Sequence, residues 1–124
     1  MDKETYGILI DPSTYKAELI ELNEEEVSLK RMTHILHCDY VEVDQLTNEL
    51  DIWVDEEGLV NNSTELLGMF SISDSDGERL GQVTYAGRGL ILTYGTSPDG
   101  RVPKGMEAKR AVQVLSSLNI GTLL

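Results

Sequence analysis

Tyr40-Val41-Glu42-Val43-Asp44 and Leu50-Asp51-Ile52-Trp53-Val54-Asp55, joined through Thr47-Asn48-Glu49, decide the fold class. Both runs alternate apolar and acidic residues with the period of two that a β-strand imposes on its side chains. The short polar connection makes them a hairpin. Its apolar side chains are expected on one face and its carboxylates on the other. Glu56-Glu57-Gly58 then turns the chain.

Strand signals extend outward in both directions, first as a short apolar run. Tyr6-Gly7-Ile8-Leu9-Ile10 leads into Asp11-Pro12-Ser13-Thr14, where proline presets one backbone angle and Asp and Ser bond local amides. Tyr15 to Leu22 alternates again, so a first hairpin is expected with strands near 5–10 and 15–21. Between the hairpins, Asn23 and the acids Glu24, Glu25 and Glu26 have the chemistry of a helix start. Leu29, Met32, Ile35 and Leu36 fall on one face at helical spacing, and the helix is expected to end near His37. Asn61 to Gly68 reads as a loop with one helical turn, and Asp74-Ser75-Asp76-Gly77 as a turn. Gln82-Val83-Thr84-Tyr85 and Leu90-Ile91-Leu92-Thr93-Tyr94 are strand-like, and Ser97-Pro98-Asp99-Gly100 is a turn. Over 105–118, Met106, Val112, Leu115 and Leu118 predict a C-terminal helix. Together these elements predict an α+β fold: an antiparallel sheet of hairpins with one internal helix and a C-terminal helix packed on one face. The 124 residues are expected to form a single domain, 1–124.

Charge is divided unevenly along the chain. Of the formal net charge of −12, all lies in residues 1–57; residues 58–124 balance to zero, with Arg79, Arg88, Arg101, Lys104, Lys109 and Arg110 as their bases. A pI near 4.4 argues against direct binding to nucleic acid or to an anionic membrane, since both attract Lys and Arg. The lone Cys38 cannot form an internal disulfide, and the charged start Met-Asp-Lys-Glu lacks an apolar signal core. No run approaches the roughly 20 apolar residues that span a bilayer. A cytoplasmic location is expected.

Cys38-Asp39-Tyr40-Val41-Glu42-Val43, then Asp51 through Asn61, then Gly89-Leu90-Ile91-Leu92 occur in that order, and Ile8-Leu9-Ile10-Asp11-Pro12 opens the chain. This pattern resembles a domain-of-unknown-function family, number 3846, of bacteriophages, prophages, plasmids and conjugative elements. The resemblance covers roughly 5–101. It implies a small intracellular protein of a mobile element, active in the host-cell cytoplasm, and by association a role in countering host bacterial defence. It transfers no catalytic residues.

Few residue clusters suggest chemistry. His34, His37, Cys38 and Asp39 form the one soft-ligand group, but a zinc site usually draws four ligands from two separated pairs. The simpler reading is a helix C-terminus followed by a half-buried thiol. Asp74 to Gly77 fails as a calcium loop, because the first position would be Ile72 and the twelfth Val83. No cofactor, metal or nucleophile–base pair is expected, and the chain is expected not to be an enzyme.

Two binding sites remain as candidates. Gly87-Arg88-Gly89 could form an anion nest, with Arg88 as a charged fork for phosphate and Tyr85 and Tyr94 flanking it to stack on a base. Arg101, Lys104 and Arg110 would complete that site for a nucleotide-type small molecule, and the preferred expectation is that the protein sequesters a phosphate-bearing nucleotide signal of host defence there. The bland reading is a tight turn with solvated bases. The alternative site is the acidic set Glu42, Asp44, Glu49, Asp51, Asp55, Glu56 and Glu57, which could imitate nucleic acid and block a basic host protein. Its bland reading is a solubilising strand face that guards a sheet edge. Apolar Leu90-Ile91-Leu92 suggests a surface to be covered, so a homo-oligomer is expected.

Overall fold

The computed structural model describes residues 4–14, 16–24, 26–57, 69–74 and 83–123. The expected loop over 61–68, Gly58 of the turn before it and residues 75–77 of the expected 74–77 turn lie outside these residues. In chain order the elements are β1 (Tyr6–Asp11), β2 (Lys16–Glu21), α1 (Leu29–Leu36), β3 (Val41–Gln45), β4 (Asp51–Asp55), β5 (Met69–Asp74), β6 (Val83–Ala86), β7 (Gly89–Ser97), β8 (Gly100–Lys104), α2 (Ala108–Ser117) and β9 (Leu118–Leu123).

The α+β class and both early hairpins are present. β1–β2 and β3–β4 pair antiparallel, and the main sheet runs β2-β1-β7-β4-β3, with β8 paired to the far half of β7. A second sheet, β6-β5-β9, is also antiparallel. β7 is central. Its first half sits between β1 and β4, and its side chains alternate between two cores.

Ile91 joins Ile8, Ile10, Ile52, Phe70, Ala111 and Val114 on one side; Leu90 and Leu92 join Leu22, Val27, Met32 and Leu36 on the other. Leu90, Ile91 and Leu92 are fully buried. Each such side chain contributes about 1.5–3 kcal/mol by leaving water, which is why this strand carries three apolar residues in succession. The two helices therefore lie on opposite faces: α1 covers the Leu90 side, α2 and the second sheet the Ile91 side. The expectation that both pack on one face gives way because a sheet buried on both sides needs cover on both. The same burial removes the apolar strand as a motive for self-association.

Local chemistry shifts the ends of two elements. α1 starts at Leu29 rather than after Asn23, with Ser28 as cap; its Oγ accepts from Arg31 N at 3.1 Å. Asn23 has φ 54°, and Leu22 and Val27 are plugged into the core, their amides donating to Thr5 O at 2.8 Å and Pro103 O at 3.0 Å. Glu24 and Glu26 thus belong to a loop tied to the sheet. The C-terminal helix stops at Ser117, and the chain continues as β9, which registers against all six residues of β5.

Candidate functional site

β3 and β4 pair with Glu42 opposite Val54, Val43 opposite Trp53, Asp44 opposite Ile52 and Gln45 opposite Asp51. Directly opposed residues share a face, so each face of this hairpin mixes apolar and acidic groups. The expected split into an apolar face and a carboxylate face is not what forms, because β4 lies inside the sheet and buries both its sides. Asp51 is only 4% exposed and Asp55 7%. Both therefore leave the candidate acidic surface. Asp51 Oδ1 lies 3.1 Å from Arg101 Nη2, and Asp55 Oδ1 accepts from Glu57 N at 2.8 Å. Burial raises the Asp51 carboxyl above the ordinary carboxylate value, and Arg101 opposes that rise.

The acids that stay exposed are Glu42, Asp44, Glu49, Glu56 and Glu57. Glu49 is ion-paired with Arg110 of α2. Asp44 Oδ2 accepts from Tyr85 OH at 3.0 Å. Burial, then this bond, pushes the Tyr85 phenol well above its usual range. Tyr85 also packs against Phe70. It is a strut between the two sheets and not an open stacking platform. Glu56 N donates to Tyr40 O at 2.9 Å, which sets Glu56 and Glu57 beside the exposed Asp39 and Tyr40 at the start of β3.

The cationic candidates divide into two places. Arg88, just before β7, and Tyr94 within it are six residues apart, about 20 Å at the rise of a strand. At one end, Gly87 has φ 85° where the chain passes from the second sheet to the first, a conformation that suits glycine. Arg88, 27% exposed, donates from Nη1 to Ile35 O at 3.0 Å and reaches His37 Nε2 at 3.2 Å; its Nη2 pairs with Asp11 Oδ2 at 3.1 Å. A guanidinium only donates, so His37 Nε2 is the acceptor. Arg88 thereby satisfies a free carbonyl at the end of α1 and ties that helix to β1. Gly89 is buried: a Cβ there would stand 2.7 Å from Phe70 Cζ. It permits the close packing of Phe70 and Ile52 on this strand.

At the other end of β7, the Arg101 guanidinium lies 3.6 Å over the Tyr94 ring, and Tyr94 OH donates to Asn48 O. Arg101 remains 43% exposed. The stem of Lys104 lies over Gly95. Each of Arg88, Arg101 and Arg110 thus faces a carboxylate. Sequence reading missed these pairs because the partners, Asp11, Asp51 and Glu49, are distant in the chain.

Cys38 follows a left-handed His37, which ends α1; Cys38 N donates to Thr33 O at 3.1 Å. Burial, then Asp55 and Asp39, push the thiol up to about 11. Among the described residues, no three of the His, Cys, Asp and Glu side chains are grouped to hold a metal ion. Nor is any helix among them long and apolar enough to cross a membrane.

The family described as domain of unknown function, DUF3846, matches residues 5–104. No curated protein and no solved structure matches the chain. The matched stretch takes in β1 to β8 and stops before α2 and β9.

Proposed function

From the premise that the chain belongs to the DUF3846 family, we propose that it is a non-enzymatic binding protein whose acidic β3–β4 hairpin occupies a basic site on a partner protein. One observation carries this reading. Arg88, Arg101 and Arg110 are matched to Asp11, Asp51 and Glu49, while Glu42, Glu56 and Glu57 stay exposed with no cation beside them among the described residues. Those three arginines are already engaged, and the hairpin carries three exposed carboxylates that no described cation offsets. Like charges held this close repel, and a cationic surface relieves that repulsion. A site built to hold nucleic acid is such a surface. In this reading the protein is an accessory factor of a phage or mobile element, working in the host cytoplasm against a defence protein.

The test compares the wild type with Glu42→Lys, Glu56→Lys and Glu57→Lys combined, each used as bait in a host extract. Wild type is expected to retain a basic partner that the triple variant loses. Raising salt should release it, since exposed charges are screened over about 8–10 Å at physiological ionic strength. Retention of the same partner by both baits would refute the reading.

A nucleotide-binding reading draws support from the Arg101–Tyr94 stack beside Lys104. A phosphate would have to compete with Asp51 for Arg101. Calorimetry against a panel of cyclic and linear nucleotides, wild type beside Arg101→Ala, decides it: binding no tighter than about millimolar rejects it.

A further inference from the structure

We infer that the open edge of β3 receives an extended basic segment of the partner as an added strand; this rests on the acidic-surface reading and specifies its geometry. β3 ends the main sheet, and among the described residues no strand pairs its outer side.

The groups that face outward follow from the ladder. Leu46 N donates to Leu50 O at 2.9 Å, and Glu56 N donates to Tyr40 O at 2.9 Å. Both pairs continue the β3–β4 register. Antiparallel partners alternate between bonded and non-bonded pairs. The amides and carbonyls of Glu42 and Asp44 are therefore turned to β4, and those of Val41, Val43 and Gln45 are turned outward.

Proteins usually blunt such an edge with charged side chains, lysine above all, or with proline, a bulge or a covering loop, and acidic guards repel acidic strands but not basic ones. β3 has no lysine or proline, and its residues from Glu42 to Gln45 are all exposed. Its charge is wholly acidic. One face offers Val43, 45% exposed, beside Trp53; the other offers Glu42 and Asp44. An incoming strand that alternates apolar residues with Lys or Arg would meet both faces at once and fill the outward backbone groups. A second copy of this chain would set Glu42 and Asp44 against like charges, which is unfavourable. Charge complementarity thus selects a basic segment.

A short blocked peptide of alternating valine and lysine serves as the probe. Trp53, the single tryptophan, stands opposite Val43 and reports its arrival by fluorescence. In the added strand, valines would pair with Val41, Val43 and Gln45 and turn their amides to the protein. N-methylation of the valines should weaken binding about tenfold or more, while N-methylation of the lysines, with the same charge, should change it little. Val43→Pro removes an outward amide but no bond to β4, and should weaken the plain peptide similarly; circular dichroism checks that this variant is folded. Equal binding of the two methylated peptides would overturn the added strand. If equal binding still vanishes in Glu42→Lys, Glu56→Lys, Glu57→Lys, the edge inference alone has failed. If that triple variant binds the plain peptide as well as wild type, the acidic-surface reading has failed with it. Self-association in place of peptide binding, seen by sedimentation, would also overturn the inference.

Discussion

Arg88 holds together parts of the chain that its sequence neighbourhood does not suggest. Its guanidinium bridges Asp11 at the end of β1, Ile35 O at the end of α1, and the His37 ring. Arg88→Ala leaves a partly buried carboxylate and a helix-end carbonyl without their donor. A loss of about 1–3 kcal/mol in folding stability is expected, measurable by urea denaturation; a change within error would make the tie incidental. Asp51 gives a second test at this scale. Its folded pKa is raised above the ordinary 3.8, chiefly by burial. The folded chain therefore binds this proton more tightly than the unfolded chain does. That contribution to stability is complete below 3.8 and is lost as pH rises through the folded value. Asp51→Asn cannot ionise. As pH climbs out of the acid range, the wild-type Tm should fall relative to that of Asp51→Asn. The opposite trend would mean that attraction to Arg101 outweighs the cost of burial.

Among the elements, β7 organises the molecule, and Gly89 at its start lets Phe70 and Ile52 close on its backbone. Gly89→Ala forces a methyl against a buried ring. Overpacking of this kind costs about 1–3 kcal/mol, to be read as a lower denaturation midpoint; an unchanged midpoint would show that Phe70 yields without cost. The element scale also shows what the residues disclose. The hairpins were legible because 15–21, 40–44 and 50–55 alternate and the short apolar run within 5–10 precedes a clear turn, and the observed strands start and stop within a residue or so. The faces of the β3–β4 hairpin were not, since alternation says which residues share a side, not which side is buried. The side taken by each helix was hidden for a related reason: Leu90-Ile91-Leu92 is apolar throughout and has no single core face. β9 was absorbed into the helix because Leu118 continues the spacing of Val112 and Leu115. Asn23 suits a left-handed turn as well as a cap, and tertiary bonds from Leu22 and Val27 chose the turn. The candidate site was legible in composition but not in its pairing, which joins β1 to the start of β7, β4 to β8, and α2 to the β3–β4 turn.

For the whole molecule, the sequence asymmetry of charge becomes a spatial one. Arg88, Arg101 and Arg110 of the second half fold back on Asp11, Asp51 and Glu49 of the first, and β3 with the turn after β4 keeps Glu42, Glu56 and Glu57 exposed without such a partner among the described residues. The most direct test of that claim is a map of backbone amide shifts on adding the valine–lysine peptide to the folded protein. The shifts are expected to concentrate on 41–45 and 53–57 and to fade as salt is raised. Shifts spread evenly over the surface, or centred on Tyr94, Arg101 and Lys104, would contradict the account.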